Sequence, residues 1–408
     1  MSDRSPGASL TSRQRLTYVL VLGALTALGP FTIDMYLPAF PAIETEFAVD
    51  PAIVQLTLTG TMVGFAAGQL IVGPLSDRVG RKVPLVSATI LHIAASLGAA
   101  MAPTILWLGV FRVLQGFGAA SSGVVSMAMV RDLFGGRHLI QMMSRLALVN
   151  GFAPVIAPVV GSQLLSIMSW RGIFWVLAAY GSVMSVTVMV LIKETHLPEV
   201  RKADTRSLAS RYSALFHDRI YLGMVAMAGL NFTGLFAYLS ASPFLFQQVY
   251  GMSEQQYGVV FAINSLAVIA GVQTVSRLIH RGTVAPQWVL VGTTGAQMLL
   301  GALIFALSLS GAGMWGTLIP LWFFILSCGF TFPTVQYLAM ANHGAEAGTA
   351  ASVLGAVNFG LAGALSPIIG VLGVGSARPM AGMMVVAAAV SGTVLWTVVR
   401  PRSLPAVV

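Results

Sequence analysis

The sequence predicts an all-α polytopic membrane protein in which twelve transmembrane helices form two six-helix bundles. Three observations predict it. The first is composition: of 408 residues, 56% are hydrophobic and 9% charged, with a mean hydropathy of +0.84, whereas soluble domains carry about 25% charged residues. So few charges cannot cover a soluble globule of this size, while lipid solvates the apolar excess. The second is the recurrence of apolar windows about 20 residues long, the length a helix needs to cross roughly 30 Å of hydrocarbon. The third is one long polar segment, 193–219, that divides six windows from six.

The windows fall at 16–39, 52–74, 84–102, 104–130, 140–168, 171–192, 220–246, 254–279, 286–309, 314–341, 346–371 and 379–399. The breaks after the third and fifth rest on Pro103-Thr104 and on Trp170-Arg171-Gly172. The first run reads as a retained span rather than a cleaved leader, because Pro30, Asp34 and Pro38 stand where a small-residue cleavage site would be needed.

With the N-terminus inside, nineteen of the 22 basic residues fall on alternate connections. They are Arg4, Arg13 and Arg15; Arg78, Arg81 and Lys82; Arg131, Arg137 and Arg145; Lys193, Arg201, Lys202, Arg206, Arg211 and Arg219; Arg277 and Arg281; and Arg400 and Arg402. Arg171 and Arg378 fall on the other side, Arg112 lies within a span, and the first outer loop carries Glu44, Glu46 and Asp50. By the positive-inside rule both termini are expected in the cytoplasm. The expected division is therefore a bundle at 1–192, a cytoplasmic linker at 193–219 with a short amphipathic helix at Leu208 to Phe216, and a bundle at 220–408.

The net charge of +9 does not point to nucleic acid, because the basic residues sit in short connections between apolar runs rather than on a soluble face. Cys328 is the one cysteine, which excludes a disulfide framework and a cysteine-based metal site. No H-E-x-x-H, nucleotide-binding loop or G-x-S-x-G occurs, so neither a metal, a cofactor nor an enzyme activity is expected. A membrane enzyme or sensor would need a clustered nucleophile, metal ligands or a soluble signalling domain. Span five contains Ala157-Pro158-Val159-Val160-Gly161 and span eleven Ser366-Pro367-Ile368-Ile369-Gly370. Such repetition between halves suggests a transporter with its site between them.

The connection after span two reads Gly73-Pro74-Leu75-Ser76-Asp77-Arg78-Val79-Gly80-Arg81-Lys82. Gly73 and Gly80 allow a tight reversal, Asp77 can accept from an arginine or a helix N-terminus, and the three bases suit anionic lipid. Any basic loop would anchor the inner face, but this one resembles the loop signature G-x-L-S-D-R-x-G-R-K of the major facilitator superfamily. The resemblance implies a cytoplasmic gate in which Asp77, with Arg78 and Arg81, forms a charge relay that locks in one state and releases in the other.

Arg112 lies in span four about seven residues, or roughly 11 Å, from the outer end. A buried arginine costs roughly 3 kcal/mol or more, so it should face a cavity or a partner unless it snorkels to the interface. Its surroundings, Arg112-Val113-Leu114-Gln115-Gly116-Phe117-Gly118-Ala119-Ala120, resemble the superfamily's fourth-helix motif R-x-x-Q-G-x-G-A-A, which implies proton coupling. Asp34 is the one acid assigned to a span, about five residues or roughly 8 Å from the outer end. Burial and the arginine would act on it in opposite senses, as a proton-loading carboxyl requires; an interfacial, wetted Asp is the plain alternative. The run Asp34-Met35-Tyr36-Leu37-Pro38-Ala39-Phe40-Pro41 resembles the first-helix end of the Bcr/CflA group of drug:proton antiporters, which implies substrate and proton binding by Asp34. Many members of that group carry a second acid earlier in this helix, and here there is none.

Span five holds Gly151, Pro154, Pro158 and Gly161. The prolines bend the helix and the glycines permit close contact with a helix of the other half. The stretch resembles the antiporter motif G-x-x-x-G-P-x-x-G-G, which implies export rather than uptake. Gln115, Asn150, Asn231, Asn264 and Asn358 line a cavity or bridge helices, and Phe232 and Phe236 offer substrate surface or packing. His92 reads as a satisfied or lipid-buried neutral side chain rather than a proton carrier. The resemblance as a whole implies proton-coupled efflux of small, drug-like amphiphiles by a monomer in the inner membrane. A symporter importing a sugar or small metabolite shares the fold and is the alternative.

Overall fold

The computed structural model describes residues 11–196, 208–343 and 347–403. Its helices are α1 (Ser12–Asp34), α2 (Phe40–Phe47), α3 (Pro51–Val79), α4 (Lys82–Ala100), α5 (Ile105–Leu133), α6 (Gly136–Leu165), α7 (Arg171–Leu191), α8 (Leu208–Phe216), α9 (Arg219–Phe244), α10 (Glu254–His280), α11 (Pro286–Leu309), α12 (Gly313–Met340), α13 (Ala347–Leu372) and α14 (Arg378–Val394). Among the described residues, twelve helical stretches are long and apolar enough to span a bilayer. The expected bases Arg4, Arg201, Lys202 and Arg206 lie outside the described residues, as do the side chains of Arg137 and Arg211.

Local chemistry sets the ends. Thr11 and Gln14 form a capping box at α1, and Ser253 and Gln256 form another at α10, each satisfying backbone donors that the first helical turn leaves unpaired. Asp218 caps α9 by accepting from the backbone N–H groups of Ile220 and Tyr221 at 2.7 and 3.2 Å. The linker helix forms at Leu208–Phe216 as expected, and its Leu215 is buried against Tyr221, Met224 and Leu395.

Two expected boundaries change. The connection expected as the first outer loop is not a loop: after a turn at Leu37–Ala39 the chain forms α2, with Pro41 in its first turn, where the missing N–H of a proline costs nothing. The stretch Arg13–Phe47 is therefore one long broken span, and Asp34 lies further from its C-terminal end than expected. Likewise α3 continues through Pro74 to Val79. Gly73 is thus helical, and the reversal falls on Gly80 alone, whose φ of 102° is strained for any side chain.

The chain packs as two compact units, one of residues up to Tyr36 together with those from Gly60 into the linker, the other of Leu37–Thr59 together with residues from Leu208 onward. In the first unit the core joins Leu22 and Leu25 of α1, Leu85 of α4, Val125 and Met129 of α5, and Val188 of α7. In the second, Met224 and Met227 of α9 meet Leu290 of α11 and Val335 of α12. Leu37–Thr59 is held in the second unit by Gln55 Nε2 donating to the Ser240 carbonyl at 3.1 Å, Thr59 Oγ1 to the Gly363 carbonyl at 3.0 Å and Gln248 Nε2 to Glu44 Oε2 at 2.6 Å.

Backbone approach repeats between the units. A Cβ on Gly64 of α3 would collide with the Val113 carbonyl of α5, and one on Gly116 of α5 with the Thr61 carbonyl of α3. In the second unit Gly271 of α10 meets the Leu326 carbonyl of α12, and Gly329 of α12 the Val268 carbonyl of α10. Both pairs have the same three-residue offsets, so the α3–α5 and α10–α12 crossings are the same small-residue contact built twice.

Candidate functional site

Asp34 is the last residue of α1, where the span breaks before α2. It is 5% exposed, and among the described residues its carboxylate makes no hydrogen bond or ion pair. A buried carboxylate without a counter-ion is costly in a low-dielectric setting, which is the condition under which binding a proton or a cation is rewarded.

Arg112 is fully buried on α5. It does not snorkel, and it does not pair with Asp34 either. Its Nη1 donates to the Thr32 carbonyl of α1 at 2.9 Å and to Gln115 Oε1 at 2.6 Å. The guanidinium lies over the Tyr36 ring at 4.4 Å and near the Phe174 ring at 5.7 Å. Such contacts return roughly 0.5–2 kcal/mol each, while Nε and Nη2 have no hydrogen-bond partner. Gln115, expected on a cavity wall, is fully buried and passes the chain on by donating from Nε2 to Ser96 Oγ of α4 at 2.8 Å.

The charged groups around the connection after span two gather on Arg81. It pairs with Asp77 at 2.5 Å and, through Nε, with Asp132 at the end of α5 at 2.8 Å, while Nη1 also donates to Ser76 Oγ at 2.7 Å. Burial disfavours the charged guanidinium, but Asp132 and then Asp77 outweigh it and hold its pKa above the ordinary value. Glu194, just past α7, accepts from the backbone N–H groups of Arg81 at 2.8 Å, Lys82 at 3.1 Å, Thr195 at 3.0 Å and His196 at 2.9 Å. Partial burial opposes ionisation there, yet these four donors hold the carboxyl below its ordinary value of 4.5. The expected gate is corrected in membership: Asp77 and Arg81 meet, Arg78 stays exposed, and Asp132 and Glu194 belong to the cluster though the motif did not indicate them. Their only signal was an acid beside a base, Arg131-Asp132 and Lys193-Glu194, at the ends of apolar spans.

The span-five residues lie within α6, which runs unbroken through Pro154 and Pro158. A Cβ on Gly161 would collide with the Met35 carbonyl next to Asp34. This close contact is made inside the same unit, so the expectation of a glycine contact to the other half is corrected for Gly161. Gly151 and Asn150 are half-buried on α6.

In the second unit Asn231 of α9 accepts from Gln297 Nε2 of α11 at 2.6 Å, and Gln297 also reaches Thr331 Oγ1 of α12 at 3.3 Å. Asn231, Thr331, Phe332, Gln336 and Asn358 line a cavity of about 70 Å³, room for a few waters. Asn231 and Asn358 are thus brought together, whereas Asn264 bridges helices, donating to the Tyr238 hydroxyl at 3.1 Å. Phe232 stacks on Phe236 with ring centroids 4.8 Å apart and meets Phe359 at 5.1 Å and Phe332 at 5.8 Å, so these rings pack on one another beside the polar cavity.

Twelve apolar spans, a first span broken at a buried acid, a buried arginine and a charge cluster centred on Arg81 define a multi-pass membrane transporter. The chain belongs to the Major Facilitator Superfamily, whose family profile matches residues 22–367; it is a transporter and not an enzyme. It is 33% identical to the uncharacterized MFS-type transporter YdgK of Bacillus subtilis, over 96% of this chain and 98% of that one. It is 31% identical to the bicyclomycin resistance protein homolog of Haemophilus influenzae over 89% and 91% of the two chains, and 27% identical to the multidrug resistance protein MdtL of Escherichia fergusonii over 94% and 96%. These relatives support the resemblance to Bcr/CflA-type transporters. Among solved structures, a bacterial homolog of the human lysosomal transporter Spinster superposes with a TM-score of 0.73 at 14% identity, covering 96% of this chain and 98% of that one.

Proposed function

We propose that the protein exports drug-like amphiphiles from the cytoplasm across the inner membrane by alternating access, exchanging each for incoming protons, with both termini cytoplasmic and a monomer as the working unit. The observation that carries the reading is Asp34: a buried carboxyl, unpaired among the described residues, at the break of the first span, two residues from Thr32, whose carbonyl holds Arg112. Neutralising it takes either a proton or a cationic substrate, so occupancy by one competes with the other, which is the logic of exchange. Arg112 acts as the electrostatic modulator, the Arg81 cluster as the cytoplasmic gate, and Pro154, Pro158 and Gly161 as the bending element beside Asp34. A proton entering down the gradient supplies about 2.3 kcal/mol per 100 mV, besides the pH term. The names of the relatives, bicyclomycin and multidrug resistance, support drug-like cargo.

The test is direction. In everted vesicles with an imposed acid-inside gradient, ethidium should accumulate inside while protons leave the lumen, so that its entry speeds the collapse of the pH gradient. Proton-driven loss of a preloaded sugar or small metabolite from the same vesicles, with no ethidium uptake, would instead make the protein an importer.

A further inference from the structure

His92 of α4 is fully buried. Its Nε2 lies 2.9 Å from Thr32 Oγ1. The single hydroxyl proton of Thr32 is already donated to the Leu28 carbonyl at 2.7 Å. Thr32 can therefore only accept at the histidine contact, and His92 must donate from Nε2. Its Nδ1 is buried with no partner and backs onto Gly181 of α7. An imidazolium would place a second N–H at that nitrogen with nothing to receive it, so the neutral Nε2–H tautomer is the one that fits.

The same threonine holds the arginine. Arg112 Nη1 donates to the Thr32 carbonyl, Gln115 links Arg112 to Ser96, and Ser96 Oγ donates to the His92 carbonyl at 2.7 Å. The circuit leaves His92 by its ring and returns to its backbone. Asp34 follows Thr32 by two residues, about 3 Å along the helix axis. Two guanidinium nitrogens, Nε and Nη2, remain without hydrogen-bond partners.

We infer that His92 is a positioning residue: by donating Nε2–H to Thr32 it fixes the end of α1 and keeps Arg112 tethered to the Thr32 carbonyl, off the Asp34 carboxylate. The inference rests on the proposed coupling role of Asp34 and Arg112. The charged and titratable groups around it are Arg112 from α5, Asp34 from α1, and Tyr36 just after α1. Tyr180 of α7 is engaged with the Ala24 carbonyl at 2.7 Å. Without the histidine the tether loosens and Arg112 can reach Asp34. An arginine that close stabilises the carboxylate, so Asp34 takes up its proton at lower pH.

The test needs no substrate. Purified protein in lipid nanodiscs is titrated while the Asp34 carboxyl stretch is followed by difference infrared spectroscopy, with Asp34→Asn identifying the band. His92→Leu should move the Asp34 titration to lower pH by about one unit or more, the range for an opposite charge brought within contact distance, and His92→Gln, whose amide can donate from the same place, should restore it. A titration unchanged in His92→Leu, or shifted and not restored by His92→Gln, overturns the inference. If His92→Leu does not fold, nitrogen-15 spectra of histidine-labelled wild type decide, with His92→Gln assigning the signal: Nε2–H is expected, and Nδ1–H or imidazolium at neutral pH overturns the inference. Absence of ethidium transport alongside the expected infrared shift would count against efflux and leave His92 in place.

Discussion

In the first unit α1, α4 and α5 meet through Thr32, His92, Gln115 and Arg112, whereas in the second the corresponding spans α9, α11 and α12 meet through Asn231, Gln297 and Thr331. The repeated glycine contact sets the register between them: with Gly116 matched to Gly329, Arg112 falls on Ile325 and Gln115 on Cys328. Ile325 is as buried as the arginine it matches. The second unit closes this packing with neutral amides and an aliphatic side chain, so a charge is not something the three-helix contact needs in order to form. The arginine is costly where it stands and unnecessary for the architecture, which leaves function as the reason to keep it.

The largest effect should come from exchanging the two positions. Ile325→Arg places a charge in a site with no prepared acceptors and should cost roughly 3 kcal/mol or more, seen as loss of the monodisperse peak in fluorescence-detected size exclusion. Arg112→Ile should leave that peak intact while gradient-driven uptake in everted vesicles falls about tenfold, roughly 1.4 kcal/mol in the transport barrier. If Ile325→Arg is tolerated and Arg112→Ile collapses, the comparison is inverted.

A second effect sharpens the repeat itself. Gly64→Val and Gly271→Val each push a side chain into a facing carbonyl and should destabilise by about 1–3 kcal/mol, lowering the melting temperature in detergent by similar amounts. A marked difference between the two would show that the crossings are not equivalent.

The smallest effect concerns Glu194, which accepts from the backbone of Arg81 and Lys82 in the first unit. Because the Glu194 carboxyl is held below its ordinary value of 4.5, the ionised form contributes stability that is fully present above pH 4.5 and is lost as pH falls through the lower folded-state value. Glu194→Gln should therefore lower the melting temperature modestly at pH 7, and the gap from wild type should narrow as pH falls below 4.5. A gap that persists unchanged in acid would mean that the side chain acts by shape, not charge.

The spans were legible because each is a sum over some twenty side chains, which no single residue can reverse. The break after Asp34 was only half legible: Pro38 and Pro41 marked an interruption, but Glu44 and Glu46 suggested a loop where the chain instead forms α2 with Pro41 in its first turn. Asp34, Arg112, Asp77 and Arg81 stood out because a charge in or beside an apolar run is conspicuous. Their partners did not, because pairing depends on tertiary contact. Asp132 is 51 residues from Arg81, Glu194 is 113 away, and Thr32 is 60 from His92. The absence of an Asp34–Arg112 pair was illegible for the same reason, since comparable depth in the bilayer says nothing of direction. The sequence repeat in spans five and eleven was also less informative than the glycine contacts: Gly161 meets Met35, whereas Gly370 meets Ala52 and Gln55, so the matched letters serve different neighbours.

The most direct test of the central claim, that a single buried carboxyl couples cargo to protons, is gradient-driven ethidium uptake into everted vesicles carrying wild type or Asp34→Asn at equal, folded amounts. The account predicts that uptake driven by the pH gradient falls to the level of vesicles lacking the protein, while Asp34→Glu retains part of it. Uptake by Asp34→Asn at the wild-type rate, still collapsed by dissipating the gradient, would contradict the account.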